Sequence, residues 1–456
     1  SYQQAKCQNP VYVQAAENYS VLLQELGRFE DDYQQSVELI RQLSCSPETA
    51  STPDITALIS FGRSGSLFFH SLFDGHPQLV TIPGVYLKGW FGLDNWISFI
   101  PDKSDKFWRA KLVEKVVEEY LPIFDANCKK NVPGNPLGSS RWLARDTGFV
   151  EMGPDQSKSF KLDEDAFSKT LLNLLSSQDD PDPKTLFELI HSAFATNFHH
   201  GLAATTNGRQ HIFYHIHNPT TIERNHFLQN YPDAQFLTIL RNPIQSLESW
   251  IALDVGENIG FKEWNDIFEK ILAMFVLLRS SLSKVKRSGV VRLEDIKTNP
   301  SMIMPKVAKW IGINDHPSLY KTTFCGEEYW GPSSSKVKLT AFDKTAIDRP
   351  IGHMLGAKDI KIFETLFWPF SKKYSYTKMN LLEFRSQLQE IRDQLESPLD
   401  FETVIYSKIN VSKPPMEQCE TYKRLHRLLI QLWTELDQQE IYSTLIDPMD
   451  IKNVKF

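Results

Sequence analysis

The stretch Leu58-Ile-Ser-Phe-Gly-Arg-Ser-Gly-Ser-Leu-Phe-Phe-His-Ser-Leu-Phe-Asp-Gly-His-Pro77 decides the fold. An apolar run from Ile55 to Phe61 has the length of a buried strand and enters a tight Gly62-Arg-Ser-Gly-Ser66 turn. Beyond the turn, Leu67, Phe68, Leu72 and Phe73 recur at helix spacing, and Gly75-His76-Pro77 stops the pattern. A strand, a glycine-containing turn and a helix, in that order, gather backbone N–H groups and the positive end of a helix dipole on one anion. A loop for a nucleoside triphosphate would carry G-x-x-x-x-G-K-[ST]. Here no Lys follows the second glycine, and Arg63 precedes it. The turn reads as a phosphate loop for a ligand other than ATP.

Outward from that loop the pattern is α/β. Strands are expected at Ile55–Phe61, Leu79–Ile82, His211–His217, Gln235–Leu240 and Gly289–Arg292, with helical stretches between them. Such alternation builds a mostly parallel sheet with helices on both faces. Residues 85–210 form a long, largely helical insertion, expected to cap the site; its Arg109, Arg141 and Arg145 could line an acceptor cleft or simply face solvent. Before the sheet, residues 1–50 carry two short apolar helix faces broken at Leu26-Gly27-Arg28-Phe29. That unit resembles one tetratricopeptide repeat, or else is a helical hairpin packed on the main domain. Residues 378–456 read as a C-terminal helical extension, which leaves 53–377 as the main domain.

The whole 456-residue chain has a net charge of −6, which disfavours nonspecific nucleic-acid binding and makes any anion site local. Five scattered cysteines without C-x-x-C spacing suggest neither a disulfide framework nor a cysteine zinc site. No run approaches the roughly 20 apolar residues of a membrane span. A cytoplasmic address is therefore expected.

A second constellation lies at Ala234-Gln-Phe-Leu-Thr-Ile-Leu-Arg-Asn-Pro-Ile-Gln-Ser-Leu-Glu-Ser-Trp-Ile251. A buried strand ends at Leu240, Arg241 stands at its C-terminal tip, and Pro243 suits the first position of a helix. Ile244, Leu247 and Ile251 share the inner helix face, so Ser249 and Arg241 can face one crevice. A permanently charged fork and a hydroxyl suit a phosphate. Strand tips are also where open α/β sheets bind ligands.

Together the two constellations resemble the sulfotransferases that use 3′-phosphoadenosine 5′-phosphosulfate (PAPS). Gly62-Arg63-Ser64-Gly65-Ser66 is similar to that family's 5′-phosphosulfate motif, and Arg241 with Ser249 eight residues later is similar to its 3′-phosphate motif. Gly289-Val-Val-Arg-Leu-Glu-Asp-Ile-Lys-Thr-Asn-Pro300 is similar to its segment ending in Glu-Asp-x-x-x-x-Pro, and Ile360–Tyr376 resembles its last helix. The resemblance implies an α/β, P-loop-type three-layer fold with a mostly parallel central sheet. It also implies PAPS as co-substrate, no metal, and a hydroxyl- or amine-bearing acceptor. Gly62 to Leu67 would hold the phosphosulfate, with Arg63 at the oxygen between phosphorus and sulfur, and Arg241 and Ser249 would grip the 3′-phosphate. Lys336 and Lys338, in Ser333-Ser-Ser-Lys-Val-Lys338, are further candidates over the nucleotide. The segment after His76-Pro77 has no carboxylate, unlike the protein-tyrosine sulfotransferases.

Sulfonyl transfer to an alcohol needs a proton acceptor, and histidine titrates in the right range. His211-Ile-Phe-Tyr-His-Ile-His217 alternates, so His211, His215 and His217 share one strand face. The stretch resembles the Lys-Thr-His-Leu-Pro strand of cytosolic sulfotransferases, with His217 in the place of the base and His215 in that of the Lys. A neutral imidazole cannot supply the Lys charge, which shifts the burden to Arg63. The same histidines would also serve a purely structural role, and a metal pair lacks further ligands at recognisable spacing. Two other functions compete with the transferase. A phosphate-loop kinase would need the missing Lys and magnesium. A non-catalytic nucleotide-binding or helical-repeat scaffold with a protein partner would have no use for the base.

Overall fold

The computed structural model describes residues 13–43, 53–60, 62–84, 87, 89–92, 101–127, 148–198, 205–206, 209–217, 219–254, 261–278, 287–331, 342–409 and 414–438. Lys336, Lys338, Arg141 and Arg145 lie outside them.

The centre is a sheet in the order β2-β3-β1-β4-β5: β1 Asp54–Ser60, β2 Thr205–Thr206, β3 Arg209–His217, β4 Gln235–Leu240 and β5 Ser288–Arg292. Four of the strands run parallel; β2 is a short antiparallel addition to the start of β3. β1 and β4 are buried almost throughout, as expected of strands covered on both faces. The expected strand at Leu79–Ile82 forms only a single bridge, Val80 to Ile212. It runs beside β3 but turns away at Pro83-Gly84, where Gly84 has φ +75°. Its length suffices for one backbone exchange and no ladder.

Side-chain alternation divides the core. Ala57 and Ile59 of β1 and Tyr214 of β3 point into one cluster with Leu112, Phe167 and Phe187. These belong to the helices α4 Trp108–Glu119, α5 Glu164–Leu175 and α6 Pro183–Phe198 of the insertion. Ahead of them in the chain come α1 Val13–Glu25, α2 Phe29–Leu43 and α3 Ser66–Ser71. Leu58, Phe213 and Leu237 point to the opposite face, against Phe69 and Phe73 beside α3 and Val307 and Ile311. Helices α7 Thr221–Asn230, α8 Pro243–Asp254 and α9 Phe261–Leu278 follow β3 and β4. A third cluster joins α8 and α9 to α10 Ala357–Leu366, α11 Leu381–Ile391 and α12 Glu420–Asp437. Helix, sheet and helix thus form three layers.

The N-terminal helices are a hairpin seated on the sheet domain. Ala16, Leu39 and Ile40 bury against Ile222 of α7. Asp32 accepts hydrogen bonds from Gln24 (2.9 Å) and Thr221 (2.8 Å), and Glu25 pairs with Arg424 of α12. Among the described residues no helix is long and apolar enough to cross a membrane.

Candidate functional site

Parallel pairing brings the expected residues to one edge of the sheet. Ser60 registers with His217 on one side and with Ile239 on the other. The C-terminal tips of β1, β3 and β4 therefore stand side by side, carrying the Gly62–Leu67 loop, His217 and Arg241. The loop's geometry is fixed by its neighbours. A Cβ at Gly62 would lie 2.5 Å from the Trp250 ring, and one at Gly65 2.9 Å from Leu293. Gly65 has φ +83°, which glycine alone adopts without strain. Arg63 has φ +64°, a left-handed conformation uncommon for a residue with a Cβ, and such strain is held only where surroundings over-determine it. Ser64 and Ser66 are buried, and Ser64 Oγ has no hydrogen-bond partner among the described residues. Leu67 packs partly buried beside Phe149, Phe324 and Tyr329.

The arginines converge. Arg63 Nε donates to Ser249 Oγ at 3.0 Å, and Arg241 Nη1 donates to the Arg63 carbonyl at 3.1 Å. Arg63, Arg241, Gln245, Ser249 and Arg349, together with Glu248, Ala252, Pro350 and His353, line one cleft of about 190 Å³. Burial first, and then the neighbouring Arg349, push Arg241 down to about 10 and lower Arg63 as well. Three arginines share the cleft with one carboxylate, Glu248; Arg241 is buried, Arg63 and Arg349 half-buried, and Arg241 Nε is buried with no partner among the described residues. That combination fits an incoming anion, which would relieve the repulsion and accept the orphaned N–H.

The sequence divided Arg63 and Ser249 between two ends of the ligand; in the structure they are hydrogen-bonded to each other. The sequence also missed Arg349. No motif singled it out, because its place in the cleft depends on a loop folding back from 108 residues beyond Arg241. Arg109 turns elsewhere: its guanidinium donates to the carbonyls of Leu175 and Gln178, so it braces α4 on the end of α5.

His217 is half-buried, at the edge of the face it shares with His211 and His215. Behind it lies a column of rings: His215 is 5.4 Å from His217, and His70 is 5.5 Å from His215. His215 reaches Ser60 Oγ at 3.4 Å, and His70 reaches Thr81 Oγ1 at 2.5 Å. Burial pushes His215 down to about 4 and His70 well below its ordinary value. Both imidazoles are neutral near pH 7, so neither supplies a positive charge to the site. Among the described residues no group of three or more His, Cys, Asp or Glu is arranged to hold a metal ion.

The Glu-Asp segment after β5 serves as a brace. Glu294 accepts the N–H of Asn242, next to Arg241, and the hydroxyl of Tyr376, each at 2.9 Å. The Arg292 guanidinium lies 4.6 Å from the Tyr376 ring centroid. Two stretches singled out separately, 289–300 and 360–376, thus meet beneath the arginine cleft.

No family model and no curated protein matches the chain. Among solved structures, a sulfotransferase domain from the olefin synthase of Synechococcus PCC 7002 is 16% identical over 67% of this chain and 90% of its own, with a TM-score of 0.34. A sulfotransferase domain from the curacin biosynthetic pathway is 15% identical over 76% of this chain and 100% of its own, also at 0.34. Likenesses of this size carry no weight for activity, which rests on the residues.

Proposed function

We propose that the chain is a sulfotransferase, moving a sulfonyl group from PAPS to a hydroxyl or amine acceptor. The observation that supports this best is the cleft of Arg63, Arg241, Arg349 and Ser249 beside a strand–turn–helix loop that has no P-loop lysine. Two phosphate groups on one nucleotide would account for two adjoining sets of donors. The N–H groups of Gly62 to Leu67, with the Ser64 and Ser66 hydroxyls, would take the 5′-phosphosulfate. Arg241, Ser249 and Arg349 would take the 3′-phosphate, and Lys336 and Lys338 remain further candidates for the nucleotide.

In the reaction, the acceptor oxygen bonds to sulfur as the bond from sulfur to the bridging phosphate oxygen breaks. The acceptor proton passes to the His217 imidazole, and the electron pair stays on the departing phosphate. Arg63 is positioned to neutralise that charge once it exchanges Ser249 for the phosphosulfate. His215 would act by holding the His217 ring, since burial keeps it neutral. Binding both ends of the nucleotide fixes sulfur in line with the acceptor.

The test is release of labelled sulfate from PAPS onto a panel of phenols, sugars and fatty alcohols, with EDTA and ATP as controls. Transfer that survives EDTA and ignores ATP is expected. Phosphate transfer from ATP that stops with EDTA would establish the kinase instead. Failure to bind any adenine nucleotide would return the chain to the scaffold reading.

A further inference from the structure

Three side chains of the Arg241–Glu248 segment fasten the stretch 346–355 over the cleft. Arg241 Nη2 donates to the Ala346 carbonyl at 2.5 Å. Gln245 Nε2 donates to the carbonyls of Ile347 (3.0 Å) and Arg349 (2.8 Å). Glu248 Oε1 accepts from the N–H groups of Gly352 (2.8 Å), Met354 (3.1 Å) and Leu355 (3.0 Å). Gln245 and Glu248, three residues apart, share one side of α8, and Arg241 stands two residues before its first turn.

Glu248 is fully buried, 0% exposed, and its Oε2 lies 3.1 Å from His353 Nδ1. A carboxyl group so far from water is tolerated only when its oxygens are well supplied with partners. The three N–H donors follow Arg349 by three to six residues, in the strap that brings Arg349, Pro350 and His353 to the cleft. Arg349 stands close enough to Arg63 and Arg241 to disfavour their charged forms. The residue after it is Pro350, whose ring fixes one backbone angle of the strap.

We propose that Glu248 is a positioning residue. By accepting three strap N–H groups it keeps Arg349 in register with Arg63, Arg241 and Ser249, and so sets how strongly the cleft prefers a 3′-phosphorylated nucleotide. The proposal rests on the sulfotransferase reading above. Glu248 also lines the cleft, but Oε1 is engaged by the three strap N–H groups, and it acts through the strap.

Calorimetry with 3′-phosphoadenosine 5′-phosphate (PAP) and with AMP tests it, in wild type, Glu248→Ala, Glu248→Gln, Arg349→Ala and the double variant. Glu248→Ala should weaken PAP about 10- to 100-fold and AMP less than about threefold, the span of a lost hydrogen bond to a charged group. Glu248→Gln keeps a carbonyl acceptor and should recover most of the loss. In the Arg349→Ala background, Glu248→Ala should cost little more, because the two act as one unit. Equal losses for PAP and AMP, or fully additive losses with Arg349→Ala, would overturn the proposal. If Glu248→Ala does not fold, Gln245→Ala cuts the same fastening at its middle and should show the same PAP-selective loss. Wild type that binds PAP no better than AMP would sink the functional reading itself. Hydrogen exchange at residues 352, 354 and 355 would then decide the brace alone: protection lost in Glu248→Ala and kept in Glu248→Gln supports it, and unchanged protection refutes it.

Discussion

Arg63 is the residue on which most of the physics converges. Its left-handed backbone, its bond to Ser249 and its carbonyl's bond from Arg241 tie the loop to α8 before any ligand arrives. His217, at the neighbouring strand tip, is the group assigned to the proton. His217→Ala should lower turnover by about 10²- to 10⁴-fold, the usual contribution of a positioned base, with PAP affinity unchanged. Steady-state kinetics beside calorimetry checks it; full activity would move the base elsewhere. His215 offers a separate reading of burial. Its folded pKa is near 4 and its unfolded value near 6.5, so between these the unfolded chain binds the extra proton. Stability from this group is therefore lost as pH falls through that window. Relative to His215→Gln, wild type should lose about 2 kcal/mol of unfolding free energy between pH 7.5 and pH 5. Urea titrations at the two pH values measure this, and an unchanged difference would mean that His215 titrates normally in the fold.

At the scale of elements, the glycines of the loop make the strongest demand. Gly65 has both a positive φ and a neighbour at 2.9 Å, whereas Gly75 has φ +65° with nothing within 4 Å. Gly65→Ala should therefore cost more than Gly75→Ala, which carries only the backbone strain of about 1 kcal/mol. Denaturant midpoints compare the two; equal costs would mean Leu293 gives way freely. Short apolar runs made four of the strands legible, because strands covered on both faces leave an unbroken apolar record, while alternation in 211–217 gave the shared face of His211, His215 and His217. Leu79–Ile82 carried the same record but pairs with β3 through one bridge only, because the chain turns away at Pro83-Gly84. Nor could local sequence show that α8 would carry a strap: Gln245 and Glu248 look like solvated helix residues until 346–355 folds across them.

Among the described residues, the first and last helices are tied to each other and to the sheet domain. The hairpin of α1 and α2 closes on α7, which begins four residues after His217, and on α12 near the other terminus. Asp32, 2% exposed, collects Ser20, Gln24 and Thr221, with the buried Arg224 close by. Asp32→Ala should lower the single unfolding transition by about 1–3 kcal/mol through the donors it leaves unpaired. An independent repeat would instead unfold on its own and leave the main transition where it was; calorimetric scanning separates the two. Glu25 pairing with Arg424 across some 400 residues was beyond any local pattern.

The central claim is that two phosphates of one nucleotide meet the loop and the arginine cleft together. Titration calorimetry of PAP against AMP, on the wild-type chain at fixed ionic strength, addresses it most directly. The 3′-phosphate should add charge-assisted bonds in a buried cleft and tighten binding by about 10-fold or more. PAP binding no more tightly than AMP would contradict the account.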